Sequence, residues 1–362
     1  IVRTPDIAII GGYGSTGSRL VPLLLAALPH SVRIGGRSGA KAEALAGELG
    51  PRVRGLEVDT SDRASLDAFC QGCEIVINCA GPSRLILDRA ALAAWRAGAH
   101  YIDTGGDEPA YDLLAPQAGE IREDGLCFLL SAGVYPGLSS VYPAWAAETL
   151  FDSLESADVF LHFAGVKLSF NSAWDCLKSF RECGSGGTGS IEDGRAVFGR
   201  IQPRELDLPA PCGHAYCQPV YLEEMRRMAE RHNVRNLRTY LVPGETALRA
   251  LIEAKQSCNL TGGAEIEAAE RLSRAVSGSG AACTLYHLLL EGVKDGERLR
   301  LVSTMRCDDD PSLLVARVLA ATTRLLAAGE GTHGVGFLHE GVPADRFMSL
   351  LGPTVSIATV RD

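Results

Sequence analysis

Along the first third of the chain, short apolar bursts alternate with stretches whose apolar positions recur at helical spacing. "IAII" (7–10) leads through a glycine cluster into "GSRLVPLLLAAL", which carries its apolar side chains on one stripe. "VRIGGR" (32–37) precedes the amphipathic "AKAEALAGEL", ended by Gly50; "VRGLEVD" (53–59) precedes "RASLDAFCQG"; "EIVINCAG" (74–81) precedes "DRAALAAWRAG". "HYIDTGG", a helix around 110–122 and "GLCFLLSAG" continue the series. Strict strand–helix alternation with short connections predicts an α/β unit whose doubly wound parallel sheet is built from right-handed crossovers.

After about residue 137 the rhythm changes. "SSVYPAWAAETL" reads as helix and "SADVFLHFAGV" as a longer strand, and "CGSGGTGS" (183–190) is a glycine-rich loop of the kind that covers sites. "EEMRRMAERH" and "GGAEIEAAERLSRAVSG" read as helices. "ACTLYHLLLEGVKDGERLRLVSTMRC" is two strands joined through Asp295-Gly296, a strong local hairpin signal. A long helix, "PSLLVARVLAATTRLLAAG", follows and stops at Gly329. The second domain is therefore expected to be α+β with an antiparallel sheet. The expected division is 1–137, 138–332 and a C-terminal segment 333–362.

Composition narrows the class. The chain has 362 residues, 46% hydrophobic and 22% charged, and no apolar run nears the roughly 20 residues that span a bilayer. "IVRTPD" lacks the regions of a secretory signal, so the reading is a cytoplasmic protein without a membrane partner. A net charge of −9 argues against nucleic acid, which needs a basic patch. The 11 cysteines follow no tight scheme and read mostly as buried thiols.

Gly12, Gly14 and Gly17 form G-x-G-x-x-G between the first strand and the first helix, where a Rossmann-type dinucleotide site needs them. Gly12 permits the tight turn, Gly14 clears the approach of the pyrophosphate, and Gly17 lets helix and strand pack closely. Ser15 and Thr16 add hydroxyl donors beside the helix N-terminus. The second strand ends in Arg37 where an NAD site usually places a carboxylate. Its planar fork suits a 2′-phosphate, with Ser38 and Lys41 as helpers, so the expected cofactor is NADP.

"VDTSD", "VINCAGP", "AGAHYIDTGGD" and "SAGVYPGLSS" together resemble the saccharopine dehydrogenase-like family, in its glutamate-forming reductase branch. The resemblance extends to the hairpin at "GVKDGE" and to the tail "GVGFLHEGVPADRFMSLL", which in relatives folds back onto the cofactor domain. It implies a dinucleotide-binding domain with a substrate domain, and reduction of C=N bonds formed between a carbonyl and an amine. It also implies Asp59 and Thr60 beside the adenine, and Ala80, Gly81 and Pro82 beside the ribose and nicotinamide. The chain departs from the family at Thr104 and Asp107, where many relatives have a small or apolar residue and Glu, and in "PAPCGHAYCQPVYLEEM".

Hydride transfer to C=N also needs a group that protonates or supports the nitrogen. Asp103 and Tyr135, at strand ends, are the candidates; capping the next helix and packing against Pro136 are their structural alternatives. His162 reads as a core histidine. Cys70 and Cys73 make half a zinc spacing, and Cys212, His214 and Cys217 a weak metal cluster; no metal is expected. Asn171, Ser172, Trp174 and Lys178 either line a substrate pocket or merely start a helix. The resulting expectation is an NADPH-dependent reductase of an imine or Schiff-base adduct of an amino acid or related amine. A non-catalytic NADPH-binding redox sensor, and a reductase of a carrier-tethered heterocyclic imine or enoyl group, stay open beside it. A homodimer, and a carrier protein if the substrate is tethered, are the partners this allows.

Overall fold

β1 (Asp6–Ile10) is buried at every position, the mark of a strand covered on both faces. The computed structural model describes residues 6–182, 187–257, 259–276, 281–352 and 354–361. After β1 come α1 (Gly17–Ala27), β2 (Val32–Gly36), α2 (Gly39–Leu49), β3 (Val53–Glu57), α3 (Arg63–Cys70) and β4 (Cys73–Asn78). Then follow α4 (Ser83–Ile86), α5 (Arg89–Arg96), β5 (His100–Asp103), α6 (Asp107–Leu114), α7 (Ala118–Glu123) and β6 (Cys127–Leu130).

The next stretch holds α8 (Leu138–Leu150), β7 (Ser153–Ala164), α9 (Phe170–Glu182), β8 (Gly189–Glu192), β9 (Arg195–Phe198), β10 (Arg204–Leu208) and β11 (Gly213–Val220). α10 (Glu223–Arg231), β12 (Asn236–Leu241), α11 (Glu245–Ser257), α12 (Gly263–Ala275), β13 (Cys283–Lys294) and β14 (Glu297–Cys307) follow. The chain finishes with α13 (Pro311–Ala327), β15 (Gly334–Phe337), α14 (Leu338–Gly341), α15 (Ala344–Leu351) and β16 (Ser356–Arg361).

Two compact units result: Ile1–Leu138 with Ser312–Leu351, and Ser139–Pro311 with Gly352–Asp362. The first holds a parallel sheet of order β15-β6-β5-β4-β1-β2-β3, the doubly wound arrangement with one strand added at the β6 edge. Its core joins strand residues Ala8, Val76, Tyr101 and Phe128 to Leu66 and Phe69 of α3 and the alanine face of α5. Alanines at Ala90, Ala91, Ala93 and Ala94 let α5 lie close on the strands.

The second unit holds a sheet of order β10-β11-β12-β7-β13-β14-β16, with β8 also on β12 and β9 on β8. Asp295 and Gly296, both with positive φ (52° and 79°), turn β13 into β14 as a two-residue hairpin. The sheet is mixed rather than antiparallel throughout, because β12 runs parallel to β7. The intervening chain, ending in α10, is long enough for a crossover that restores the strand direction. α9, α11 and α12 bury a small core of their own around Leu177, Ala250, Ala269 and Leu272.

The expected division at 332/333 differs from this arrangement. α13 belongs to the first unit, and β16 hydrogen-bonds along β14 in the second. The crossings fall at Pro311/Ser312 and Leu351/Gly352, with no long linker at either. An edge strand such as β16, exposed at every residue, gives no burial alternation to read. Residues 183–186 of the glycine-rich stretch lie outside the described residues, and its last two, Gly189 and Ser190, open β8.

Candidate functional site

The glycine loop is tied to β2 before it turns. Gly11 and Gly12 both donate their N–H to the Gly35 carbonyl, at 2.7 and 3.0 Å. A Cβ on Gly17 would lie 2.5 Å from the Gly11 oxygen, so only glycine lets α1 start this close to the strand end. A Cβ on Gly14 would meet only the Gly11 oxygen, at 3.1 Å, and would otherwise project into space where an anion can approach the backbone. Gly14 and Ser15 are exposed, and Thr16 sits at the N-cap of α1 without spending its side chain on a cap bond. Arg19 closes the turn by donating to the Ser15 carbonyl at 2.7 Å. This cradle fits a pyrophosphate.

At the end of β2, Arg37 is exposed, and Ser38 caps α2 by accepting the Lys41 N–H at 3.3 Å. Ser38 is thus partly committed to the helix, while Lys41 is exposed in its first turn. Beyond β3, Asp59 accepts the Ser61 N–H at 2.8 Å and its hydroxyl at 2.7 Å. Those bonds hold its carboxyl below the usual range, and the charges of Arg37 and Arg89 add to the effect. Thr60 is half-buried beside it. The ends of β1, β2 and β3 therefore bring Gly12–Gly17, Arg37–Lys41 and Asp59–Thr60 to one edge of the parallel sheet.

The ends of β4, β5 and β6 carry a second polar group. Asp103 is 2% exposed. It accepts hydrogen bonds from the Tyr101 hydroxyl (2.6 Å), the Asn78 amide (3.1 Å) and the Gly105 N–H (2.9 Å). Burial raises its pKa, and the three bonds oppose that rise. Asn78 in turn accepts the Ala80 N–H at 3.1 Å, which fixes the start of the Ala80-Gly81-Pro82 turn. Asp107, with φ at 45°, accepts the Ser131 hydroxyl at 3.0 Å and pairs with Arg84 at 3.4 Å. Asp103 was expected to reach the reacting atoms or to cap a helix. Its burial and full set of donors instead suit a scaffold that fixes the loops around it. Tyr135 is half-buried and stands before a cis bond to Pro136, in a loop bridged from Gly133 to Gly137.

Several other candidates have partners within the second unit. His162 shares a hydrogen bond with the Val242 carbonyl at 2.9 Å. Lys178 pairs with Glu265 and lies over the Trp174 ring, 4.8 Å from its centre, while Asn171 and Ser172 are exposed at the helix start. Cys70 and Cys73 are buried, their thiols pushed up to about 12 and about 11. His214 is exposed and meets Asp207 at 3.1 Å, whereas Cys217 faces the core, because alternation along β11 sends them to opposite sides. Among the described residues no group of three or more His, Cys, Asp or Glu has a metal-holding arrangement. Sequence reasoning missed Asn78 and Tyr101; the period-2 spacing of Tyr101 and Asp103 along β5 was a signal for the second.

Residues 7–121 match the saccharopine dehydrogenase NADP binding domain family. That match covers about a third of the chain, the part that carries the glycine loop and Asp103. A stretch of 163 residues is 29% identical to carboxyaminopropylagmatine dehydrogenase of Synechocystis sp., covering 42% of this chain and 40% of that protein. The chain thus matches less than half the length of this relative. The likeness of fold extends further: the apo saccharopine dehydrogenase (L-Glu forming) of Saccharomyces cerevisiae superposes with a TM-score of 0.70 over 99% of this chain and all of that one, at 14% identity. The matched family binds NADP, so NADP is the cofactor of the domain formed by residues 7–121. No helix among the described residues is long and apolar enough to cross a membrane.

Proposed function

We propose that the protein is an NADPH-dependent reductase of a C=N bond, in an imine or Schiff-base adduct of an amino acid or related amine. The observation that carries this is the polar scaffold at the ends of β4, β5 and β6, on the same edge of the sheet as the glycine loop. There Asn78 and Asp103 hold the Ala80-Gly81-Pro82 and Thr104-Gly105 turns in fixed positions. Open α/β sheets bind ligands at this edge. Both named relatives are dehydrogenases, and related dehydrogenases act on CH–NH groups.

NADPH supplies a hydride when bound. The chain's own residues do the rest. The Gly14 cradle would hold the pyrophosphate, and Arg37 with Lys41 would hold the 2′-phosphate. Asp59 and Thr60 would lie beside the adenine, and Ala80, Gly81 and Pro82 beside the ribose and nicotinamide. Asp103 positions the turns on both sides of the reacting carbon, and its negative charge favours a cationic iminium over a neutral imine. Tyr135 is the proton donor to the nitrogen as the π bond is lost.

The test is NADPH oxidation screened against mixtures of amines with α-keto acids or aldehydes, with products identified by mass spectrometry. The expected result is a secondary amine formed only with the enzyme and NADPH. NADPH consumption on the carbonyl compounds alone, yielding alcohols, overturns the reading.

A further inference from the structure

In the loop "GGYGSTG", Tyr13 is a side chain that phosphate binding does not require. Its phenol oxygen accepts the backbone N–H of Ser38 at 3.1 Å. Its ring lies so close over Gly36 that a Cβ there would sit 2.7 Å from ring carbon Cε1 and from the hydroxyl oxygen. Gly36 ends β2 and Ser38 caps α2, so Tyr13 grips the chain on both sides of Arg37. The glycine loop is therefore fastened by a side chain to the turn that carries the cationic residue.

This has a consequence for selectivity. An exposed arginine at a turn tip loses affinity for its anion through the freedom of its long side chain and of the backbone beneath it. Fixing the backbone on either side removes the second loss before the ligand arrives. The benefit reaches only a ligand that uses Arg37. NADP carries a 2′-phosphate and NAD does not, so the same hydrogen bond helps one cofactor and leaves the other nearly unaffected.

We propose that Tyr13 is a specificity-determining positioning residue, acting through Arg37, and that the preference for NADPH over NADH depends on its hydroxyl group. The proposal rests on the reading of Arg37 as the partner of the 2′-phosphate. A purely structural role for Tyr13 predicts something different: equal weakening of both cofactors together with a lower melting temperature.

The experiment is fluorescence titration of NADPH and NADH, with no substrate present, against the parent protein, Tyr13→Phe, Gly36→Ala, Arg37→Met and the Tyr13→Phe/Arg37→Met double variant. Melting temperatures are recorded without cofactor. Tyr13→Phe removes one hydrogen-bond acceptor and should weaken NADPH about 3- to 10-fold, with NADH changed less than about 2-fold. Gly36→Ala, which displaces the ring from the other side, should shift the ratio in the same direction. In the Arg37→Met background the Tyr13→Phe change should leave the ratio where it is. If the parent prefers NADPH but neither Tyr13→Phe nor Gly36→Ala narrows the ratio, or both cofactors weaken equally, the Tyr13 proposal is overturned and the Arg37 reading survives. If the parent binds the two cofactors equally, the Arg37 reading fails and takes this proposal with it.

Discussion

Asp103 and Asp158 are both carboxylates on strands, yet their surroundings differ. Asp158, on β7 of the second unit, is paired with two guanidinium groups, those of Arg204 and Arg238. Arg204 also lies over the rings of Phe160 and Tyr240, 5.7 Å from each centre. Asp103, on β5 of the first unit, is held by a phenol, an amide and a backbone N–H, all neutral. A carboxylate neutralised by two cations is a staple between strands. One held by neutral donors at the end of a parallel strand instead fixes the turns that follow β4 and β5. Similar residues thus tie strands together in one unit and fix strand-end turns in the other.

The most damaging way to break the comparison is to close the cradle. Gly17→Val drives a side chain into the Gly11 carbonyl and should cost the first unit about 1–3 kcal/mol, with NADPH binding lost in titration. Next come the strand-end groups. Tyr135→Phe should lower kcat and kcat/KM together by about 10- to 1,000-fold with the NADPH dissociation constant unchanged. Parent rates across the pH range would remove Tyr135 from the chemistry.

Asp103→Asn should also lower the rate, and as a scaffold residue it should lower the melting temperature too. Burial raises the Asp103 carboxyl above its ordinary 3.8, so the native state holds that proton more tightly than the unfolded chain. Its contribution to stability is therefore full below 3.8 and falls as pH rises through the raised value. A denaturation series across pH should show that acid-side slope flattened in Asp103→Asn.

A smaller effect is expected at the cofactor's far end. Arg37→Asp turns a charge-assisted phosphate contact into a repulsion and should narrow the NADPH:NADH affinity ratio about 10-fold or more, or invert it. The smallest belongs to the second unit. Lys178→Met breaks the pair with Glu265 and should cost about 1 kcal/mol or less in a urea melt, leaving NADPH affinity unchanged. A shifted NADPH dissociation constant in that variant would erase the contrast between the units.

How much of this could be read from the chain follows from the range of the interactions. β1 to β6 were legible because each is a local apolar burst followed by a helix that covers it. The Asp295-Gly296 hairpin was legible because its turn chemistry lies within two residues. The glycine cradle was legible for the same reason. What stayed hidden depends on distant partners. Asp103 looks the same in sequence whether or not Asn78, 25 positions away, donates to it. Ser139 and Ser140, at the start of α8, donate to the buried carboxylate of Glu224 some 85 residues later, at 2.5 and 3.1 Å. Short or exposed strands such as β9, at most half-buried, show no alternation to distinguish them from loop. Tyr13 reads as a filler in a glycine motif until Ser38 is seen beside it.

The placement of β15 bears on the order in which the protein can be made. β6 is complete at residue 130, but its outer neighbour is residues 334–337, so roughly 200 residues must be synthesised before that edge is paired. At typical elongation rates of about 5–20 residues per second, the parallel sheet emerges from the ribosome with the outer edge of β6 unpaired for roughly 10–40 s. During that interval Cys127–Leu130, wholly apolar, is an open template for another chain. The nascent protein thus has a built-in period of vulnerability. A circular permutant that begins at residue 312 would place β15 ahead of β6, remove that period, and should raise the soluble yield of newly made chains.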